Sequence, residues 1–115
     1  MKTKSLSVLA LVLITVTAAT AQTEKKETFK VAGNCGMCET RIEKAANSVD
    51  GVVSADWDKE SKMIDVKFNS EKVDIQKVHM AIAKAGHDTK MYKAENEVYD
   101  KLPGCCKYER MKEEG

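Results

Sequence analysis

The spacing of apolar residues changes period in a set order along the middle of this chain, and that order leaves few folds open. From Thr28 to Ala32, Phe29 and Val31 alternate with other residues, the period of two that lays one face of a strand against a core. Gly33 and Asn34 break the run. From Cys38 onward Ile42, Ala45, Ala46 and Val49 fall at helical spacing, ended by Asp50-Gly51. Val53, Ala55 and Trp57, then Ile64, Val66 and Phe68, form two more alternating runs around a polar turn, which predicts a hairpin with one wet face. Asp74 is a candidate N-cap for a second helix carrying Ile75, Val78, Ile82 and Ala85, with Gly86 as its stop. His87 to Tyr92 has the length of a last strand.

The expected order over residues 28–92 is therefore β-α-β-β-α-β. Alternating strands have only one face to bury, so both helices must lie on the same side of the sheet. The predicted class is α+β: a ferredoxin-like sandwich with a four-stranded antiparallel sheet, two helices on one face, and a C-terminal tail. Residues 22–27 read as a polar lead. Residues 93–115 are charge-rich and little periodic; they read as a tail, with room for a short helical turn before Leu102.

Residues 1–21 are set apart by Lys2 and Lys4, an apolar run from Leu6, and the small-residue end Ala19-Thr20-Ala21, the pattern of a cleaved secretory signal. The run is too short and too interrupted for a membrane span, so no insertion is expected after cleavage. The expected location is exported, periplasmic or secreted. Once the two leader lysines are removed the remainder is close to neutral, which gives no reason to expect nucleic acid or an anionic membrane as partner. No glycine-rich phosphate loop or hydrolase triad stands out.

Four cysteines, Cys35, Cys38, Cys105 and Cys106, sit as two close pairs at opposite ends of the exported part. An oxidising compartment would favour disulfides, but this distribution suits local sites better than a staple. Two sulfurs separated by two residues can share one ion. Where a helix begins, backbone N–H groups and the helix dipole favour the thiolate that binds metal or attacks disulfides.

The stretches "GNCGMCETRIEKAANSVDGVVSADWD", "MIDVKF" and "HMAIAKAGHD" resemble the heavy-metal-associated domain family of small copper and mercury carriers and metal-binding modules of metal-pumping ATPases. The resemblance covers about two thirds of the exported part. It implies the βαββαβ fold and a soft ion held at the surface by Cys35 and Cys38. It also implies a metal-transporting ATPase or another acceptor protein as partner. The chain departs from the family at Ala32, Gly33 and Asn34, where a Gly-Met-x is usual, and at His87, where an aromatic residue or lysine is frequent. Met37 lies between the cysteines instead.

Two thiolates suit nearly linear Cu(I), Ag(I) or Hg(II). A third ligand from His87, on a last strand starting near the loop, would suit three-coordinate Cu(I) or Zn(II). His79 is expected on the surface, and the methionines as ordinary filling rather than a thioether site. Cys105 lies thirteen positions beyond Tyr92, enough when extended to cover about 40 Å. Cys105 and Cys106 can therefore reach back to the loop, to add thiolates, to bridge to it oxidatively, or to bind a separate ion; the other reading is a disordered tail with unpaired cysteines.

The favoured function is a non-enzymatic carrier or buffer of a soft ion, Cu(I) first, acting as a monomer or a metal-bridged dimer. The alternative is a thiol-disulfide oxidoreductase with Cys35 as nucleophile and Cys38 as resolving thiol, or a redox-sensing loop. A thioredoxin-like site uses a proline opposite the cysteines, and the only proline here, Pro103, lies in the tail.

Overall fold

The computed structural model describes residues 23–112. The expected signal segment, residues 1–21, lies outside the described residues. Three strands, β1 (Glu24–Lys30), β2 (Val52–Trp57) and β3 (Met63–Asn69), form an antiparallel sheet in the order β1-β3-β2. Two helices, α1 (Gly36–Asn47) and α2 (Ile75–Lys84), complete the domain with the sheet. Among the described residues no helix is long and apolar enough to cross a membrane.

The central strand β3 turns Ile64, Val66 and Phe68 into a core shared with Phe29, Val31 and Trp57 from its neighbours, Ile42 and Ala46 from α1, and Val78 and Ile82 from α2. Asp65 meets Thr28 and Lys26 on the other face, where Thr28 Oγ1 donates to Asp65 Oδ1 at 2.7 Å. The one-sided burial that the alternation demanded is thus present. β1 starts four residues earlier than its alternation suggests, at Glu24, because β3 is long enough to pair with the polar lead as far as Glu24–Asn69.

In β2 a bulge between Val52 and Ser54 shifts the phase by one residue. Val53, expected inside, stands 58% exposed and Val52 packs on the core in its place. A one-residue slip exchanges the two faces of a strand, and a bulge confines that exchange to one end.

The fourth strand does not form: residues 87–92 contribute one antiparallel bridge, Val31–Thr89. Local hydrogen bonds outcompete the ladder. Thr89 Oγ1 accepts from the backbone N–H of Met91 (3.1 Å) and Tyr92 (3.0 Å), and Thr89 N–H donates to Tyr92 O at 2.7 Å, which turns the chain back. One ladder-like bond survives, Ala32 N–H to Asp88 O at 2.9 Å. His79 is also not a surface residue. It is 3% exposed, stacks on Phe29 with ring centroids 3.7 Å apart, and shares a 2.8 Å hydrogen bond through Nδ1 with Thr89 Oγ1.

The tail is folded as well. Residues Asn96–Asp100 form a short helix, α3, and Gly104–Cys106 a 3-10 turn, with Leu102, Cys106 and Tyr108 joining the core. Gly86 makes that docking possible: its φ is +111°, and a Cβ there would lie 3.0 Å from Leu102 Cδ2.

Candidate metal centre

The loop between β1 and α1 is held from below. Trp57 Nε1 donates to Val31 O at 3.0 Å, and the His87 ring bonds Ala32 O through Nδ1 at 2.8 Å. Gly33 lies so close over the indole that a Cβ would meet its ring carbons at 3.0 Å and Cys38 Cβ at 3.2 Å. Its role is room rather than freedom. Gly36, by contrast, is the first residue of α1 and has nothing within 4 Å of where a Cβ would stand.

Cys35 is the N-cap residue of α1, in extended conformation, and its carbonyl accepts the N–H of Glu39 at 3.0 Å. It is the first cysteine, not the second, that stands at the helix entrance; Cys38 follows in the first turn and is fully buried. The sulfurs lie 3.7 Å apart. The Cys35 sulfur makes no capping hydrogen bond, but the nearby Cys38 N–H, with further help from Cys105, the Met37 N–H and the Cys38 thiol, favours the thiolate enough to outweigh desolvation and lower the Cys35 pKa to about 6. Burial, reinforced by the Cys106 thiol, pushes Cys38 up to about 11.

Site-resolved alkylation of the reduced, metal-free protein is expected to follow this split. The Cys35 rate should rise through about pH 6 and level off, since the thiolate is then fully formed. Cys38 should stay unreactive across the same range. A shared midpoint near the ordinary thiol value would contradict the assignment.

The tail brings the second pair of cysteines to the first. Cys106 Sγ is 3.8 Å from Cys35 Sγ, and the sulfurs of Cys35, Cys105 and Cys106 all lie within 4.8 Å of one another. All four cysteines are free thiols. The Cys105 thiol donates to Met37 Sδ at 3.5 Å, so a fifth sulfur borders the group at a residue that is 53% exposed. Arg41, one turn beyond Cys38 on α1, donates from Nη1 to Cys106 Sγ at 3.3 Å.

His87 is placed under the loop rather than among the sulfurs. It is fully buried and stacked on Tyr108, its second nitrogen, Nε2, has no partner, and it does not belong to the group of mutually close ligand atoms. Burial holds its pKa below the ordinary value, helped by Arg41 and opposed by the Ala32 carbonyl and Asp88, so the ring is neutral.

Sequence reasoning missed Arg41, Tyr108, Asp88 and Arg110. Arg41 was discoverable from its i+3 offset from Cys38 on the same helix. The Tyr108 hydroxyl donates to Gly86 O at 2.6 Å and accepts Asp88 N–H at 3.0 Å, while Arg110 grips the Asp88 carboxylate from Nε and Nη2, each at 2.9 Å. The signal for these was faint: apolar Leu102 and aromatic Tyr108 flanking Pro103-Gly104 in an otherwise charged run.

Comparison with known proteins places this geometry. The heavy-metal-associated domain family matches residues 28–88. The copper chaperone CopZ of Staphylococcus aureus is 36% identical over 64 residues, covering 55% of this chain and 94% of that protein. Oxidized MerP from Ralstonia metallidurans CH34 aligns with a TM-score of 0.55 at 31% identity, covering 57% of this chain and 93% of that one. The N-terminal domain of a potential copper-translocating P-type ATPase from Bacillus subtilis, solved in its Cu(I)-loaded state, aligns with a TM-score of 0.55 at 27% identity, covering 57% of this chain and 84% of that one. The family match ends at residue 88, before the segment that carries Cys105 and Cys106.

Proposed function

This chain belongs to the heavy-metal-associated domain family, and from that premise we propose that its Cys35–Cys38 loop binds a soft metal ion, Cu(I) in the first place, and hands it on by ligand exchange. The observation that carries this reading is the pair of sulfurs 3.7 Å apart at the entrance of α1, one of them poised as a thiolate. Thiolates select soft ions over hard ones. Cys35 is half-buried and so approachable by an acceptor's thiol, while Cys38 is enclosed, which allows a partner to attack the ion from one side before the donor has let go.

The similarity to a copper chaperone and to a copper-ATPase domain supports a metal-transporting ATPase, or another protein with a like thiol pair, as the acceptor. The leader pattern at residues 1–21 supports an exported, periplasmic or secreted site of action. No covalent step is required, so the protein is read as a carrier and not an enzyme.

One observation favours the second reading, a thiol-disulfide oxidoreductase. An accessible low-pKa cysteine three residues before a buried high-pKa one also suits a nucleophile and its resolving thiol. Native mass spectrometry of the reduced protein after anaerobic addition of Cu(I), Zn(II) and Hg(II) in turn separates the two. The carrier reading expects a retained soft ion that Cys35→Ser/Cys38→Ser loses. No retained ion, together with rapid exchange with a disulfide substrate, would establish the redox reading instead.

A further inference from the structure

Three cysteine sulfurs lie within 4.8 Å of one another at the mouth of α1, Cys35 from the loop and Cys105 and Cys106 from the 3-10 turn of the tail, and Cys38 Sγ in the first helical turn stands 3.7 Å from Cys35 Sγ. We propose that Cys105 and Cys106 are ligands of the same soft ion as Cys35 and Cys38, so that the tail is a ligand-bearing cap over a site of three or four thiolates. This rests on the reading that the Cys35–Cys38 loop is a metal site. It adds that the ion is held by more than that loop.

The distances carry the proposal. A metal with bonds to sulfur of about 2.3 Å places its thiolates about 3.8 Å apart in a tetrahedron, about 4.0 Å apart in a trigonal plane, and about 4.6 Å apart when only two bind in line. The separations here are 3.7 Å for Cys35–Cys38 and 3.8 Å for Cys35–Cys106. These thiol contacts already match the edges of a three- or four-sulfur polyhedron and are shorter than the separation of a linear pair. The third sulfur of the group, Cys105, lies within 4.8 Å of both Cys35 and Cys106 and is exposed.

The tail is also anchored as a ligand-bearing segment must be. The Tyr99 hydroxyl donates to Tyr108 O at 2.6 Å, Tyr108 is clasped between Gly86 and Asp88, and Arg110 is paired with Asp88. These contacts lie on both sides of the cysteine pair in sequence. Three or four thiolates on a monovalent ion leave a net negative charge of two or three, and Arg41 Nη1, 3.3 Å from Cys106 Sγ, supplies a fixed positive charge against it. Binding is ligand exchange: each thiol that joins releases its proton to water, and no electron is transferred.

A capped site retains its ion. An acceptor that attacks from the Cys35 side has also to displace residues 105–106 before the ion is free, which makes the protein a holder as well as a carrier. The deciding experiment is copper X-ray absorption on the reduced full chain loaded anaerobically with one equivalent of Cu(I), with competition against a chromogenic Cu(I) chelator. The unmodified protein is expected to show at least three sulfurs around copper. Cys105→Ser/Cys106→Ser should fall to two and bind about tenfold more weakly or worse.

Because Cys106 is buried, its substitution by itself could loosen the tail. Cys105→Ser, at an exposed position, is the control: it should lower the sulfur count while the Tyr99 and Tyr108 NMR signals stay in place. Two sulfurs in the unmodified protein and unchanged affinity in Cys105→Ser/Cys106→Ser would overturn the cap and leave the two-cysteine carrier standing. Full retention of copper by Cys35→Ser/Cys38→Ser would overturn the carrier assignment itself, and the shared ion with it.

Discussion

Trp57→Ala is expected to destabilise the protein by about 3 to 5 kcal/mol, the range for emptying a buried aromatic site. Trp57 is 1% exposed and closes the core where β2, β3 and α1 meet, and its backbone N–H donates to Glu43 Oε2 at 2.9 Å. Small domains have about 5 to 15 kcal/mol in hand, so this single change should consume much of the stability. Urea denaturation followed by far-UV circular dichroism measures it.

The same indole is the floor of the metal loop, through Nε1 to Val31 O and through the ring face beneath Gly33. Copper affinity should therefore fall along with stability, by about tenfold, as it does when a ligand's supporting partners are removed. Trp57→Phe keeps most of the apolar volume and loses the indole N–H, which leaves Val31 O short of one donor and should cost about 1 kcal/mol. If Trp57→Ala lowered stability by less than Trp57→Phe, the ring would not be the shared support described above.

Asp88→Ala is expected to release the tail. The carboxylate is fully buried and accepts four hydrogen bonds: Arg110 Nε and Nη2 at 2.9 Å each, Ala94 N–H at 2.8 Å and Met111 N–H at 3.0 Å. Truncation leaves two backbone donors and a guanidinium without their acceptor. The expected loss is about 3 kcal/mol, the low end for breaking a buried pair, because the Arg110 side chain is 22% exposed and can turn toward water. Limited proteolysis should cut the variant between residues 94 and 112 while residues 28–86 stay protected, and the copper in it should keep only the loop sulfurs. A tail as protected as in the unmodified protein would mean that the apolar contacts of Leu102 and Tyr108 suffice.

Acid should produce the same release reversibly. Burial alone would raise the Asp88 pKa, but the Arg110 bonds and the two N–H groups outweigh it and hold the carboxyl below its ordinary value. A depressed acid contributes stability that is present above the unfolded-state pKa and lost as pH falls through the folded one. Tail docking should therefore be insensitive to pH above about 4 and weaken below it.

The order of the first five elements, β-α-β-β-α, the one-sided core and the place of the cysteine pair beside the first helix were legible in the sequence, because each is a local matter of period. Alternation marks a half-buried strand wherever it occurs, and Ile42, Ala46, Val78 and Ile82 lie inside because helical spacing allows nothing else once the sheet has one apolar face. The cysteine spacing likewise carried its own chemistry.

Other features have no local period to read. Val53 faces out because of a bulge, which is decided between strands. The last strand is lost because the Thr89 hydroxyl offers the backbone a closer set of partners than β1 does. His79 is buried because Phe29, fifty residues earlier in the chain, supplies its stacking face.

The tail is the clearest case of the division. Composition marks residues 93–115 as charged and aperiodic, which is accurate for their average and silent about Leu102, Cys106 and Tyr108, three buried residues that follow no regular repeat. The sequence by itself determined that a thiol pair would stand at the first helix of a domain that runs β-α-β-β-α. Only the tertiary structure brought Cys106 to 3.8 Å from Cys35, because that contact joins residues 71 positions apart in a tail docked through partners such as Asp88 and Arg110 that meet only when the chain has folded.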